Sequence, residues 1–338
     1  MTRGVAIIGA GLVGEKRAAA LPAGTELRTV FDPVPDRARA VADTSPAATV
    51  AATVEAAIDD RAVSLVIVAT PHGELARIGV AALARGRHVL VEKPGGDSLH
   101  ALLELREAAR AAGRRVRVGF NHRFHPAVVR TRDEIRSGRY GQVFGIRARY
   151  GHGGRVGYER EWRARRDLSG GGELVDQGLH LIDLVRYLTG EVELAFSELR
   201  TDFWPVEVED NAYLALRTAS GAFAWLHASW TEWKNLFSLE VAMRTAKLEV
   251  TGLGGSYGVE RFTRHEMLPE MGPPKTTSTE WPTLDRSWAA ELDDVLADLD
   301  GRPATGAGVD DAIAAFRVVN AAYARKSSAE PSPEGAGS

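Results

Sequence analysis

Short apolar runs alternate with amphipathic stretches through the first third of the chain. The runs fall at residues 5–8, 27–31, 65–69, 88–91 and 116–120. Each is too short for a helix and largely apolar, which predicts strands buried on both faces. Between them, residues 15–21, 36–43, a long stretch ending near Arg85, and 99–112 carry helical spacing. This alternation predicts a parallel sheet with helices on both sides. After about residue 125 the texture changes. Longer strand-like segments follow at 143–150, 193–201, 212–218, 222–229, 237–243 and 246–251, with TASGA at 218–222 as a turn. Few helices separate them, so a mostly antiparallel sheet is expected. Helical spacing returns at 288–299 and 309–324. The predicted fold class is α/β: an N-terminal parallel sheet plus a C-terminal α+β domain with a large, open, mostly antiparallel sheet. The domains are expected at 1–122 and 123–326, with the last helix packing back on the first. Residues 327–338, in the KSSAEPSPEGAGS stretch, read as a disordered low-complexity tail.

Composition narrows the function classes. At 338 residues, two domains are the default. The formal net charge of −3 gives no basic excess for nucleic acid or an anionic membrane. The chain has no cysteine, which excludes disulfides, thiolate metal sites and a cysteine nucleophile, and fits a reducing cytoplasm. No signal peptide is expected, because the N-terminus passes at once into VAIIGAGLVG. No apolar run reaches the length that crosses a bilayer.

Gly9, Gly11 and Gly14 form G-x-G-x-x-G between a buried strand and a helix. The first glycine allows a tight turn, the second a close approach to a pyrophosphate, and the third close helix–strand packing. With Leu12 and Val13 they offer the free N–H groups of a helix N-terminus to phosphates. Asp32 ends the second strand, placed to accept from ribose hydroxyls. Its charge repels a 2′-phosphate, so NAD is favoured over NADP; nearby Arg37 is the residue that argues the other way. Thr70, Pro71 and His72 follow the strand at 65–69, and Glu92 and Lys93 the strand at 88–91. Ligands of open parallel sheets bind at these strand ends. Thr70–His72 are therefore expected beside the nicotinamide, and Lys93 is placed to donate a hydrogen bond to a reacting oxygen.

The SGGGELVDQGLHLID stretch at 169–183 leads three glycines into a helical pattern. Asp176 and His180 stand four apart, on one helix face. A carboxylate beside an imidazole orients the ring and raises its pKa, which is equipment for moving a proton. The glycines are read as allowing close approach of backbone and ligand.

These motifs together resemble the Gfo/Idh/MocA family, the glucose–fructose oxidoreductase and inositol dehydrogenase group. The resemblance rests on GAGLVG at 9–14, Thr70-Pro71, GRHVLVEKP at 86–94, GFNHRFHP at 119–126 and GGGELVDQGLHLID at 170–183. It implies a Rossmann domain followed by an α/β domain with an open sheet, nicotinamide and substrate between the two, and dimers or tetramers formed through that sheet. It implies that Lys93 polarises the substrate oxygen, His180 exchanges the hydroxyl proton, and Asp176 sets charge and position. No metal is implied. One departure stands out: many relatives carry a histidine where this chain has Leu75, and here a histidine falls earlier, at His72.

Substrate residues are read from position. Asn121 and Arg123 follow a strand end. Trp162 and Arg163 precede the glycine run. Lys93, Asp176 and His180 complete the set. His122 and His125 lack a supporting carboxylate for a metal site. Arg147 and Arg149 read as a solvated strand face, and Trp230 and Trp233 as sheet core or interface. His152 and Tyr158 fall in a glycine-flanked loop expected to act as a lid. The expected activity is NAD-dependent oxidation or reduction of a secondary alcohol on a pyranose, sugar nucleotide or cyclitol. Two alternatives stay open: a redox-neutral NAD-dependent glycosidase, and a non-catalytic dinucleotide-binding regulator.

Overall fold

The computed structural model describes residues 2–282 and 284–329. The first elements are β1 (Arg3–Ile8), α1 (Leu12–Ala19), β2 (Thr25–Phe31), α2 (Pro35–Ala42), β3 (Thr49–Val50), α3 (Val54–Asp59) and β4 (Val63–Val68). Next come α4 (His72–Ala84), β5 (His88–Glu92), α5 (Leu99–Ala112), β6 (Val116–Gly119) and α6 (Pro126–Arg136). Then follow β7 (Val143–Gly151), α7 (Arg166–Ser169), α8 (Leu179–Thr189), β8 (Val192–Arg200), β9 (Asn211–Thr218) and β10 (Phe223–Ser229). The chain continues with β11 (Leu236–Met243), β12 (Ala246–Thr251), β13 (Glu260–Glu266), β14 (Lys275–Trp281), α9 (Ser287–Leu299) and α10 (Val309–Ala329).

Contacts divide the chain into two units. The first holds residues 1–126, 167–170 and 285–314; the second holds 127–166, 171–284 and 315–338. The sequence places one boundary after residue 122. The contacts place it after Pro126 and return α9 to the first unit. Leu292 and Val295 of α9 lie in one core cluster with Val5, Ile7, Leu27, Leu65 and Leu90. A helix far along the chain thus completes the first core.

In the first unit six parallel strands run in the order β3-β2-β1-β4-β5-β6. The order reverses at β1, so the carboxyl ends of β1 and β4 flank the point where ligands bind in such sheets. The sequence missed β3 and α3, which at two and six residues are too short to show a period. Thr53 caps α3 by accepting from the Ala56 N–H at 3.1 Å.

In the second unit eight strands run β14-β13-β12-β11-β7-β10-β9-β8. All neighbours are antiparallel except β7 and β10, which are parallel. On β7, Ile146, Ala148 and Tyr150 are buried while Arg147 and Arg149 are exposed. This period of two gives the sheet one covered face. α8 is buried along most of its length and contacts β7 and β10. The other face carries exposed Phe144, Phe196, Phe223 and Trp225. Arg147 pairs with Glu240 and Arg149 with Glu232, as a solvated strand face implies. β13 and β14 were not anticipated, because charged residues in β13 and Thr and Ser in β14 replace the apolar alternation.

α10 runs past residue 324 to Ala329, so the start of the expected tail is helical; residues 330–338 lie outside the described residues. Among the described residues no helix is long and apolar enough to cross a membrane. None of them group three metal-ligating side chains.

Candidate active site

The glycine motif does three separate jobs in the first unit. Gly9 has φ +93°, and a Cβ there would lie 2.5 Å from the Ala69 carbonyl oxygen. A Cβ on Gly14 would lie 2.0 Å from the Gly9 carbonyl oxygen. These two glycines are required by the protein's own backbone. Gly11 is different: a Cβ there meets nothing within 4 Å. The space above Gly11 is open, so a ligand can approach the backbone there closely. Gly11 is also the N-cap of α1, and no side chain caps the first N–H groups at Leu12 and Val13.

Asp32 lies at the end of β2. Its Oδ2 accepts from the Ala10 N–H and its Oδ1 from the Val34 N–H, both at 2.8 Å. These bonds fix the carboxylate beside the glycine turn, and each oxygen keeps acceptor capacity for ribose hydroxyls. A groove of about 410 Å³ runs past it, lined by Phe31, Asp32, Pro35, Val50 and Ala52. Arg37 is exposed in the first turn of α2. Thr70 Oγ1 is buried with no hydrogen-bond partner among the described residues. Open space at Gly11, an acceptor at Asp32 and an unpaired hydroxyl at Thr70 fit a dinucleotide. Pro71 is the N-cap of α4. His72 is buried, and its Nδ1 donates to the Ser169 carbonyl at 2.7 Å. The structure thus gives His72 a backbone partner where the sequence placed it beside nicotinamide.

Lys93 is half-buried directly after β5, in a cis peptide bond to Pro94. Glu92 faces the other way, into a closed ionic cluster. Arg17 Nη2 lies 2.5 Å from Glu92 Oε1 and 2.7 Å from Glu291 Oε2. Trp288 stacks on the Arg17 guanidinium at 4.6 Å. Burial opposes the charge on Arg17, but Glu92 and Glu291 outweigh it and hold the guanidinium above its ordinary value. Asn121 and Arg123 are buried nearby. Asn121 donates to Ser287 Oγ at 2.8 Å, and Arg123 pairs with Asp311 at 3.1 Å. These contacts tie the end of β6 to α9 and α10, so both side chains are engaged in packing the first unit.

In the second unit the glycine run leads into a π-helical turn, Leu174–Gly178, before α8. Asp176 sits in that turn and His180 in the first turn of α8. The sequence assumed one continuous α-helix; the wider turn changes the angular offset between them, and π turns recur at functional sites. Asp176 is half-buried within an otherwise buried stretch. Arg163 Nε donates to Asp176 Oδ2 at 3.1 Å, and the Arg163 guanidinium stacks on Trp162 at 4.6 Å. His180 is 5% exposed and meets the Tyr150 ring edge-on at 6.0 Å.

Tyr150 and Tyr257 join this cluster and were missed. Tyr150 is the inward residue near the end of β7, legible from alternation; Tyr257 lies in a glycine-rich turn with no pattern. The rings stand 5.4 Å apart, and Gln177 Nε2 donates to Tyr257 Oη at 3.3 Å. Burial raises Tyr257 to about 12. Burial raises Tyr150 well above its ordinary value, with Tyr257, Asp176 and Glu173 adding to the rise. His152 accepts from the Gly154 N–H on Nδ1 at 2.9 Å, so its neutral ring carries the proton on Nε2. Burial lowers its pKa, Asp176 opposes, and Arg163 and Arg155 add to the lowering.

The lid expectation fails at Tyr158. That residue is 2% exposed and packs against Trp230 at 4.8 Å, in a cluster with Val208. Trp230 is core, whereas Trp233 is exposed. The glycine run also has another reason than ligand approach. A Cβ on Gly171 would lie 2.0 Å from Tyr323 Oη, and one on Gly172 would lie 2.1 Å from the Glu209 carbonyl oxygen. The protein itself fills the space those glycines leave.

Comparison with known proteins matches both units. The chain is 28% identical over 199 residues to levoglucosan dehydrogenase of Pseudarthrobacter phenanthrenivorans, covering 51% of this chain and 50% of that protein. It is 28% identical over 228 residues to inositol 2-dehydrogenase 2 of Saccharopolyspora erythraea, covering 65% of each. The matched stretches thus span half to two-thirds of these relatives. The crystal structure of GenD2 from gentamicin A biosynthesis, in complex with NAD, superposes with a TM-score of 0.83 at 26% identity, covering 97% of this chain and 95% of that one. The family model described as an oxidoreductase family with an NAD-binding Rossmann fold matches residues 3–120. The model of the GFO/IDH/MocA C-terminal domain matches residues 128–257. With both halves matched in order, the chain belongs to the Gfo/Idh/MocA family of oxidoreductases.

Proposed function

We propose that this protein is an NAD-dependent dehydrogenase acting on a secondary alcohol, or the matching ketone, of a pyranose sugar, sugar nucleotide or cyclitol. The observation that carries this reading is the Asp176–Arg163 pair and buried His180, gathered around Tyr150. Open space above Gly11 and the Asp32 carboxylate support the dinucleotide part of the reading. NAD, when bound, supplies a hydride acceptor or donor. Gly11, Leu12 and Val13 would hold its phosphates, Asp32 its ribose hydroxyls, and Thr70 its nicotinamide side.

The protein's own residues then handle the proton and the charge. Lys93 donates a hydrogen bond to the substrate oxygen and stabilises negative charge on it. His180 takes the hydroxyl proton in oxidation and returns it in reduction. Asp176, held by Arg163, orients the substrate. Trp162 and Arg163 border the substrate, and the stacked guanidinium offers donors to a hydroxyl or an anionic group. NAD is preferred to NADP because the Asp32 carboxylate repels a 2′-phosphate.

The working assembly is a homodimer or homotetramer built on the face bearing Phe144, Phe196, Phe223 and Trp225, whose exposure favours a covering partner. A cytoplasmic location accords with the absence of cysteine. The test is nicotinamide absorbance at 340 nm (roughly the NADH band) with cyclitols, sugars, sugar phosphates and sugar nucleotides, in wild type and in Lys93→Ala and His180→Ala. Each variant is expected to lose on the order of 100-fold or more in kcat while still binding NAD. Wild-type turnover in both variants refutes the assigned roles, and release of an aglycone without net NADH favours the redox-neutral glycosidase.

A further inference from the structure

The π turn carrying Asp176 is held by one residue remote in sequence. Three consecutive N–H groups at its start all bond to Glu209. Gly172 and Leu174 donate to Glu209 Oε1 at 3.0 and 3.2 Å, and Glu173 donates to the Glu209 carbonyl oxygen at 2.9 Å. A fourth donor, Tyr323 Oη from α10, reaches the same Oε1 at 2.7 Å. Glu209 is 0% exposed. Gly171 and Gly172 lack side chains because Tyr323 and Glu209 occupy that space.

A helical turn normally loses its first N–H groups to water or to a local cap. Here the cap is a buried carboxylate delivered by the segment before β9, and a tyrosine from the end of the chain fixes that carboxylate. Three donors converge on one buried carboxylate oxygen and a fourth on the same residue's carbonyl, so the turn is held in place. A π turn is an uncommon backbone state that surrounding contacts must maintain.

We infer that Glu209 and Tyr323 form a positioning clamp that sets the placement of Asp176 and His180. Neither residue touches substrate; both act through the backbone of residues 172–174. This rests on the dehydrogenase reading above for the meaning of that placement. The clamp itself is a claim about backbone geometry and is testable without activity.

The test uses Tyr323→Phe, which removes one hydroxyl and keeps the ring, and Glu209→Gln, which keeps the shape and removes the charge. Amide exchange across residues 172–177 and the histidine NMR titration of His180 are measured alongside kinetics. Tyr323→Phe is expected to speed exchange there on the order of 10-fold, the equivalent of one hydrogen bond to a charged group. It is expected to lower kcat by a similar factor, to leave the KM for NAD unchanged, and to move the acid limb of the pH–rate profile. Glu209→Gln is expected to show the same pattern more strongly. Faster exchange with unchanged kcat and His180 titration overturns the inference, because the clamp would then be structural only. Unchanged exchange overturns it outright. If wild type transfers no hydride with any substrate class, the dehydrogenase reading fails separately. Exchange and the His180 titration then still decide the clamp.

Discussion

Replacing Glu291 by glutamine isolates the electrostatics of the buried Arg17 cluster. Glu291 is 2% exposed and shares the buried Arg17 guanidinium with Glu92. Two carboxylates on one cation leave an excess negative charge in a site closed to water. Burial pushes Glu291 from an ordinary 4.5 up to about 7, against the pull of Arg17 and with Glu92 adding to the rise. At about 1.4 kcal/mol per pKa unit, that rise corresponds to roughly 3 kcal/mol. The sign follows from linkage. The folded pKa lies above the unfolded one, so the folded state keeps a proton that the unfolded state releases. The stabilisation is whole below the unfolded pKa and is lost as pH rises through the folded pKa near 7. Glu291→Gln imitates the protonated acid at every pH. The variant should therefore match wild type within about 1 kcal/mol at pH 5 and exceed its stability by roughly 3 kcal/mol at pH 8. Urea unfolding followed by tryptophan fluorescence, at intervals between these pH values, measures the difference while other titrating groups cancel. A difference that does not change with pH refutes the reasoning.

Two further expectations separate cofactor binding from folding. Gly11→Ala should leave the melting temperature within about 2 °C of wild type, because its Cβ meets no atom of the protein, yet weaken NAD binding by roughly 10-fold or more. Gly14→Ala should cost about 1–3 kcal/mol of stability, because its Cβ would lie 2.0 Å from the Gly9 carbonyl oxygen. Thermal melts and NAD titration of both variants check the contrast, and equal melting temperatures contradict it. Asp32→Ala should narrow the preference for NAD over NADP; an unchanged ratio of the two Kd values removes Asp32 from the discrimination.

The sequence by itself determined the elements whose physics is local. Apolar runs such as residues 65–68 bury both faces, so β4 and its parallel neighbours were legible without a partner in view. The glycine motif was legible because strand, turn and helix N-terminus are contiguous, and Asp32 because it ends the next strand. Asp176 and His180 stood out by their spacing of four, but the π turn that carries Asp176 did not. β3, β13 and β14 were not legible, since a two-residue strand, a charged one and a Thr- and Ser-rich one carry no apolar period.

Tertiary structure decided what depends on residues far apart in the chain. Arg17, Glu92 and Glu291 come from α1, β5 and α9, and no spacing rule links them. His72 took the Ser169 carbonyl as partner, and Asn121 and Arg123 took Ser287 and Asp311, because a buried donor must find an acceptor wherever the fold brings one. The π turn under Asp176 exists where Glu209 and Tyr323 gather its N–H groups and close the space beside Gly171 and Gly172. Periodicity reports which face of an element is apolar. Which polar groups meet inside is set by long-range packing and by the cost of leaving any of them unpaired.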